Sequence, residues 1–272
     1  MEETDVQGLS VRAEGAGPTV VMLHGWPDSP ALWDDTVEAL RDAYRCVRFP
    51  LPGYDLAKPA RPVSVDQMCE LIGAVVDEVS PHDPVTLLLH DWGCFFGYEY
   101  AARHPKRVLR VVATDIGDTN SGAYLKALTT TEKLKIAYYQ LWLAMAWKLG
   151  QRWPSLGDRM TRFMAQGQGC PTPPERMGWQ MNYPYAMQWF KSYGGLAGVA
   201  RVSKVFGPKI PTLFLFGKRK PFMFHSANWL ASLGTTPGCA AYGFDAGHWM
   251  MTQRPAEFNR VVRSWLDRGA TS

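Results

Sequence analysis

A chain of 272 residues with 46% hydrophobic content can bury a large core, and its length suits one domain carrying an inserted subdomain. The net charge of +4 is dispersed, and its one dense basic cluster, Lys218-Arg219-Lys220, reads as a solvated loop, which excludes nucleic acid as a partner. Five cysteines without a Cys-x-x-Cys pair point to reduced thiols, no structural metal and a cytoplasmic location, and the acidic start Met1-Glu2-Glu3-Thr4-Asp5 reads as no signal peptide.

Along the chain, short apolar runs alternate with helical patterns. Val20 to Leu23 predicts a strand and Ala31 to Leu40 a helix; Cys46 to Phe49 predicts a second strand. Val65 to Val79 has apolar spacing near 3.6, and Ser64 with Gln67 predicts its capping box. Val85 to Leu89 then predicts a strand, Phe95 to His104 a helix and Val108 to Thr114 a strand. From about Asp118 to Phe206 the alternation stops, and the stretch is crowded with Trp, Tyr, Met and Gly. Its most apolar part, Leu134 to Leu149, contains Lys135, Gln140 and Lys148 and is shorter than the ~20 residues of a membrane span. Alternation resumes with Thr212 to Phe216, Ala227 to Leu233, Ala240 to Phe244 and Ala256 to Leu266. The pattern predicts an α/β fold: a mostly parallel sheet flanked by helices, its core formed by residues 1–117 and 207–272 and a helical cap by 118–206.

Residues 90–94 read His-Asp-Trp-Gly-Cys at the junction of a strand and a helix. A tight strand-turn-helix junction presenting a reactive side chain is a nucleophile elbow, here with Asp91 in the place usually held by Ser. A carboxylate is ionised at neutral pH and needs no base to activate it. Its attack on an alkyl carbon gives an ester that water can cleave, whereas Ser would give a stable ether. The residue type thus points to opening carbon–oxygen or carbon–halogen bonds. His24-Gly25-Trp26-Pro27-Asp28-Ser29 follows the first long strand, and the N–H groups of Trp26 and Trp92 can form an oxyanion hole. His248, between the last strand and the last helix, fits the general base that activates water.

These three motifs, ending in Gly247-His248-Trp249, resemble the α/β-hydrolase fold and, within it, the epoxide hydrolase and haloalkane dehalogenase group, over about Val11 to Leu266. The resemblance implies Asp91 as nucleophile, His248 as base and no cofactor or metal. Leu89 and Cys94 stand where the group favours glycine, and Cys94 reads as a buried small residue. The acid that orients His commonly follows the strand after the cap, but Gly217-Lys218-Arg219-Lys220-Pro221 offers no carboxylate. Asp115, 24 residues after Asp91, matches the alternative acid position of some dehalogenases; Asp118 and Asp245 are the other candidates. A cap tyrosine should donate to the leaving oxygen. Tyr139 matches the first such tyrosine and Phe190 stands at the second, leaving Tyr183, Tyr185, Tyr193 or His225 to substitute. Phe222 and His225, beyond the strand after the cap, are further expected pocket residues, with Tyr183 and Phe190.

The leading expectation is an epoxide hydrolase that gives a diol from a small apolar epoxide, as a monomer or homodimer. A haloalkane dehalogenase acting on a halogenated substrate, or a non-hydrolytic cyclase on the same scaffold, is the alternative.

Overall fold

The computed structural model describes residues 1–190 and 210–268. Tyr193 and the expected cap boundary at 206–207 lie outside the described residues. The central apolar runs form strands buried on both faces, which is why they lack a two-residue alternation. The described strands are β1 (Glu2–Val6), β2 (Leu9–Glu14), β3 (Thr19–Leu23), β4 (Arg45–Arg48), β5 (Val85–His90), β6 (Val108–Thr114), β7 (Thr212–Gly217) and β8 (Ala240–Phe244). They form one sheet in the order β1-β2-β4-β3-β5-β6-β7-β8. The pairs from β4 to β8 are parallel, while β1–β2 and β2–β4 are antiparallel. The hairpin β1–β2 has no counterpart in the sequence reading. Only Val6 of β1 is buried, so ladder hydrogen bonds rather than an apolar face define that edge strand.

Helices cover both faces. Helix α1 (Asp34–Leu40), after a 3-10 turn at Pro30–Trp33, packs with the C-terminal helix α10 (Pro255–Arg268) on one face. Helices α2 (Val65–Val79) and α3 (Trp92–Arg103) cover the other. The Ser64–Gln67 capping box is present: Ser64 Oγ accepts from Gln67 N, and Gln67 Oε1 accepts from Ser64 N. Helix α3 starts at Trp92, three residues earlier than its apolar pattern suggests, because the chain reverses at Asp91 alone.

Between β6 and β7 the described chain is helical: α4 (Gly122–Ala127), α5 (Thr130–Gly150), α6 (Pro154–Gly167) and α7 (Tyr183–Phe190). Helix α8 (Ala227–Thr235) follows β7, and the short α9 (Met250–Gln253) precedes α10. Buried polar contacts fix the inserted helices to the sheet. Trp26 Nε1 donates to Asn182 Oδ1 at 2.7 Å, and Asn182 Nδ2 donates to Thr161 Oγ1 at 2.7 Å. Thr172 Oγ1 donates to Asp28 Oδ1 at 2.7 Å. Asp118 accepts from Ser226 N and Oγ, joining the start of the insertion to the cap of α8. Among the described residues, no helix is long and apolar enough to cross a membrane.

Candidate active site

Three parallel strands end at one place. β5 delivers Asp91, β6 delivers Asp115, and the loop after β8 delivers His248. Ligands bind beyond the carboxyl ends of such strands because helix N-termini and irregular loops meet there. Asp91 has φ 50° and ψ −120°, a backbone conformation that projects its side chain above the sheet. The neighbouring loop approaches so closely that a Cβ on Gly25 would lie 2.4 Å from Asp91 Cβ. Only glycine fits there, and the approach brings Trp26 N–H to within 2.7 Å of Asp91 Oδ1. His24 stiffens this loop from inside: its Nε2 accepts from Leu51 N at 3.1 Å, and its Nδ1 lies 3.1 Å from Gly25 O. Burial lowers the His24 pKa to about 4, so the ring is neutral.

His248 bridges the two carboxylates. Its Nδ1 lies 2.5 Å from Asp115 Oδ2 and its Nε2 3.5 Å from Asp91 Oδ2. Burial works against the imidazolium, but Asp115 and then Asp91 outweigh it and raise the His248 pKa to about 9. Burial likewise opposes ionisation of Asp115, yet Lys220 and His248 pull its pKa well below the usual range. Burial opposes ionisation of Asp91 too, and the hydrogen bond to His248 reverses that, lowering its pKa.

Asp115, Asp118 and Asp245 separate clearly. Asp115 is fully buried at φ 72°, with Oδ1 accepting from Gly217 N at 3.2 Å and from Lys220 Nζ. Asp118 is committed to Ser121 and Ser226, and Asp245 pairs with Arg219 at the surface. Lys218 and Arg219 of the basic cluster are exposed as a solvated loop predicts, but Lys220 is not: its side chain is only 5% exposed against Asp115. A buried carboxylate supplies the reason, and no local pattern announces it.

A cavity of about 650 Å³ opens above Asp91, lined by Trp92, Phe95, Ile116, Tyr139, Tyr185 and Phe224 among others. Four expected pocket residues do not line it. Tyr183 and Tyr185 are two positions apart on α7, which places them on opposite faces of the helix. Tyr185 faces the cavity, and Tyr183 packs edge-on against Tyr54 at 6.4 Å. His225 is held against Phe214 and Phe216, at 5.0 and 4.7 Å between ring centres, and burial lowers its pKa to about 4. Phe224 rather than Phe222 turns inward, next to the bridge it makes with Ile116. Phe190 instead lies under the Lys148 ammonium, 5.3 Å from its ring centre.

Tyr139 and Tyr185 meet edge to face with ring centres 6.1 Å apart. The Trp92 ring also meets Tyr185 edge to face, with ring centres 5.3 Å apart. Burial raises the pKa of both tyrosines, so both are protonated donors. Cys94 is buried with Sγ 3.3 Å from Thr114 O, and burial pushes its thiol pKa up.

Residues 18–254 match the family described as alpha/beta hydrolase fold. The chain belongs to that family. A Mycobacterium tuberculosis protein named "Probable oxidoreductase EphD" is 41% identical over 108 residues, 38% of this chain and 18% of its own length. A cis-3-alkyl-4-alkyloxetan-2-one decarboxylase of Shewanella oneidensis is 33% identical over 141 residues, 50% of this chain and 41% of its own. The chain thus spans well under two thirds of these relatives. A Bacillus megaterium epoxide hydrolase complexed with a diol product has the same fold, with a TM-score of 0.72 and 20% identity over 98% of this chain and all of that one. Epoxide hydrolases and haloalkane dehalogenases recur among the matches of both kinds.

Proposed function

We propose that the hydrolase opens epoxides through a covalent ester on Asp91 and releases a diol. The observation that carries this is His248 between Asp91 and Asp115, beneath a cavity lined by Tyr139 and Tyr185. Asp91 Oδ2 attacks a ring carbon while Tyr139 and Tyr185 donate to the departing ring oxygen. Forming the ester removes the Asp91 charge, and His248 loses one of the two anions that hold its proton. Its pKa falls, its proton passes to the new alkoxide through the tyrosine hydroxyls or solvent, and the neutral imidazole then takes a proton from water attacking the ester carbonyl. The negative charge then developing on the former Asp91 Oδ1 meets the Trp26 N–H that already contacts that atom, with the Trp92 N–H beside it. Asp115 orients the imidazole and stabilises the imidazolium. In this reading residues 118–206 form the cap, no metal takes part, and the substrate is a small, largely apolar epoxide met in the cytoplasm.

The halide alternative is weakened at Trp26, whose Nε1 is spent on Asn182 and is not directed to a departing halide. A second reading comes from the Shewanella relative, whose name specifies an oxetan-2-one substrate; the same carboxylate and ring-oxygen donors suit a strained four-membered ring. The test is His248→Gln incubated with styrene oxide, 1-bromobutane or a β-lactone. An intact-mass increase located on Asp91 with the epoxide supports the proposal, and no adduct with any of the three would overturn it. Diol, bromide and carbon dioxide release by the native enzyme then separate the three chemistries.

A further inference from the structure

The acid position beyond β7 is vacant of carboxylate, and a lysine has moved into contact with the carboxylate beyond β6. Lys220 reaches inward from the β7 loop to Asp115 Oδ1, the oxygen that His248 does not use. Its ammonium also lies 5.1 Å from the centre of the Phe224 ring, so an aromatic of the cavity wall covers it. A buried cation is costly unless paired, and Asp115 is the partner. One carboxylate therefore serves two cations, one on each oxygen.

We propose that Lys220 is a positioning residue that shares Asp115 with His248, weakening that carboxylate's hold on the imidazolium so that His248 can release its proton for ester hydrolysis. The inference rests on the reading of His248 as the base. Without that second cation, the buried carboxylate would hold the imidazolium more tightly, and His248 would give up its proton only at higher pH. Lys220 opposes this in two ways. It compensates the Asp115 charge, and it places a like charge near the ring. It also fixes the carboxylate plane from the far side, together with Gly217 N–H.

Among the described residues, the titratable and charged groups that face His248 are Asp115, Asp91, Asp28 and His90. Asp115 also faces Lys220, with Cys94 and His225 beside them. Burial keeps His90 and His225 neutral, with pKa values lowered to about 3 and about 4, and the buried Cys94 thiol stays protonated. Burial raises Asp28 to about 6, so above pH 7 the varying group is His248 itself.

The experiment is an NMR titration of histidine-labelled protein from pH 6.5 to 10, with the His248 signal identified by its loss in His248→Gln. Lys220→Gln keeps a hydrogen-bond donor but no charge and should raise the His248 midpoint by about one pH unit. Lys220→Arg should leave it within a few tenths. Lys220→Met is the second neutral variant should the amide fail to fold. If neither folds, a slowly exchanging Lys220 ammonium signal in the native protein at pH 7 decides for the pairing, and rapid exchange decides against it. A midpoint unchanged in the neutral variants, or moved equally by arginine, overturns the assignment. The titration needs no substrate, so failure to form an Asp91 ester would defeat the proposed function and leave this result readable.

Discussion

The side chain of Leu89 occupies the space where a side chain on Gly97 would begin: a Cβ there would stand 2.4 Å from Leu89 Cδ2. The small residue that the elbow needs has moved from two positions before the nucleophile to the second turn of α3. Gly97→Ala should therefore destabilise the fold by about 1–3 kcal/mol. Thermal unfolding would register this as a loss of roughly 2–4 °C per kcal/mol. Leu89→Ala should rescue part of the loss, giving a coupling of about 1 kcal/mol in a double-mutant cycle. Additive effects would show that the two residues do not share the space.

The two cavity tyrosines should act on the ring-opening step. Tyr139→Phe and Tyr185→Phe are each expected to slow ester formation with styrene oxide by about 10²-fold. Ester formation with an alkyl bromide, whose leaving group needs no proton, should change far less. Equal losses on both substrates would mean the tyrosines only shape the cavity. Replacing Tyr183 should leave the ring-opening rate alone and show itself in stability.

Asp115→Asn should separate the two half-reactions. Ester hydrolysis depends on an oriented, basic imidazole and is expected to fall by about 10²-fold or more. Ester formation depends on the charge of Asp91 and should change little. Rapid-quench measurement of the two rates checks this, and parallel losses would point to misplacement of the whole site.

Asp28 predicts a pH dependence of opposite sign to that of the Asp115 carboxylate. Burial raises its pKa from the usual carboxylate range to about 6, so the folded state holds a proton that the unfolded state has lost. Stability from this group is full below about pH 4 and is lost as pH rises to about 6. Asp28→Asn should remove that decline. Its acceptor oxygen can keep the bond that Asp28 Oδ2 takes from Trp249 Nε1 at 3.0 Å, next to His248. Chemical denaturation at pH 4, 5, 6 and 7 would show parallel curves for the two proteins if Asp28 does not titrate in this window.

The sequence carried the parts of the site that are local. Asp91, the His24-Gly25-Trp26 turn and His248 each sit in a short run whose residue types state their geometry, and the structure brings them together. Asp115 was legible because a strand end places it. Tyr185 was not separable from Tyr183, since which face of α7 looks inward is decided by packing on α5. Lys220 was unreadable for a stronger reason: its partner lies 105 positions away, and a buried pair leaves no trace in local charge. The helix-only stretch after β6 was legible as an interruption, but its hold on the core through Asn182, Thr172 and Asp118 was not.

The backbone at Asp91, with φ 50° and ψ −120°, belongs to a region that non-glycine residues enter at a cost of about 1–3 kcal/mol. Asp115 also sits at positive φ, but its carboxylate is the partner of Lys220 and His248. Function thus costs torsional strain at Asp91, whereas at Asp115 the same residue serves both the site and the pairing of a buried cation. Asp91→Gly would relieve the torsion, but it would remove the nucleophile and leave His248 with one carboxylate partner instead of two. Any stabilising programme must therefore leave both positions untouched and work on the periphery.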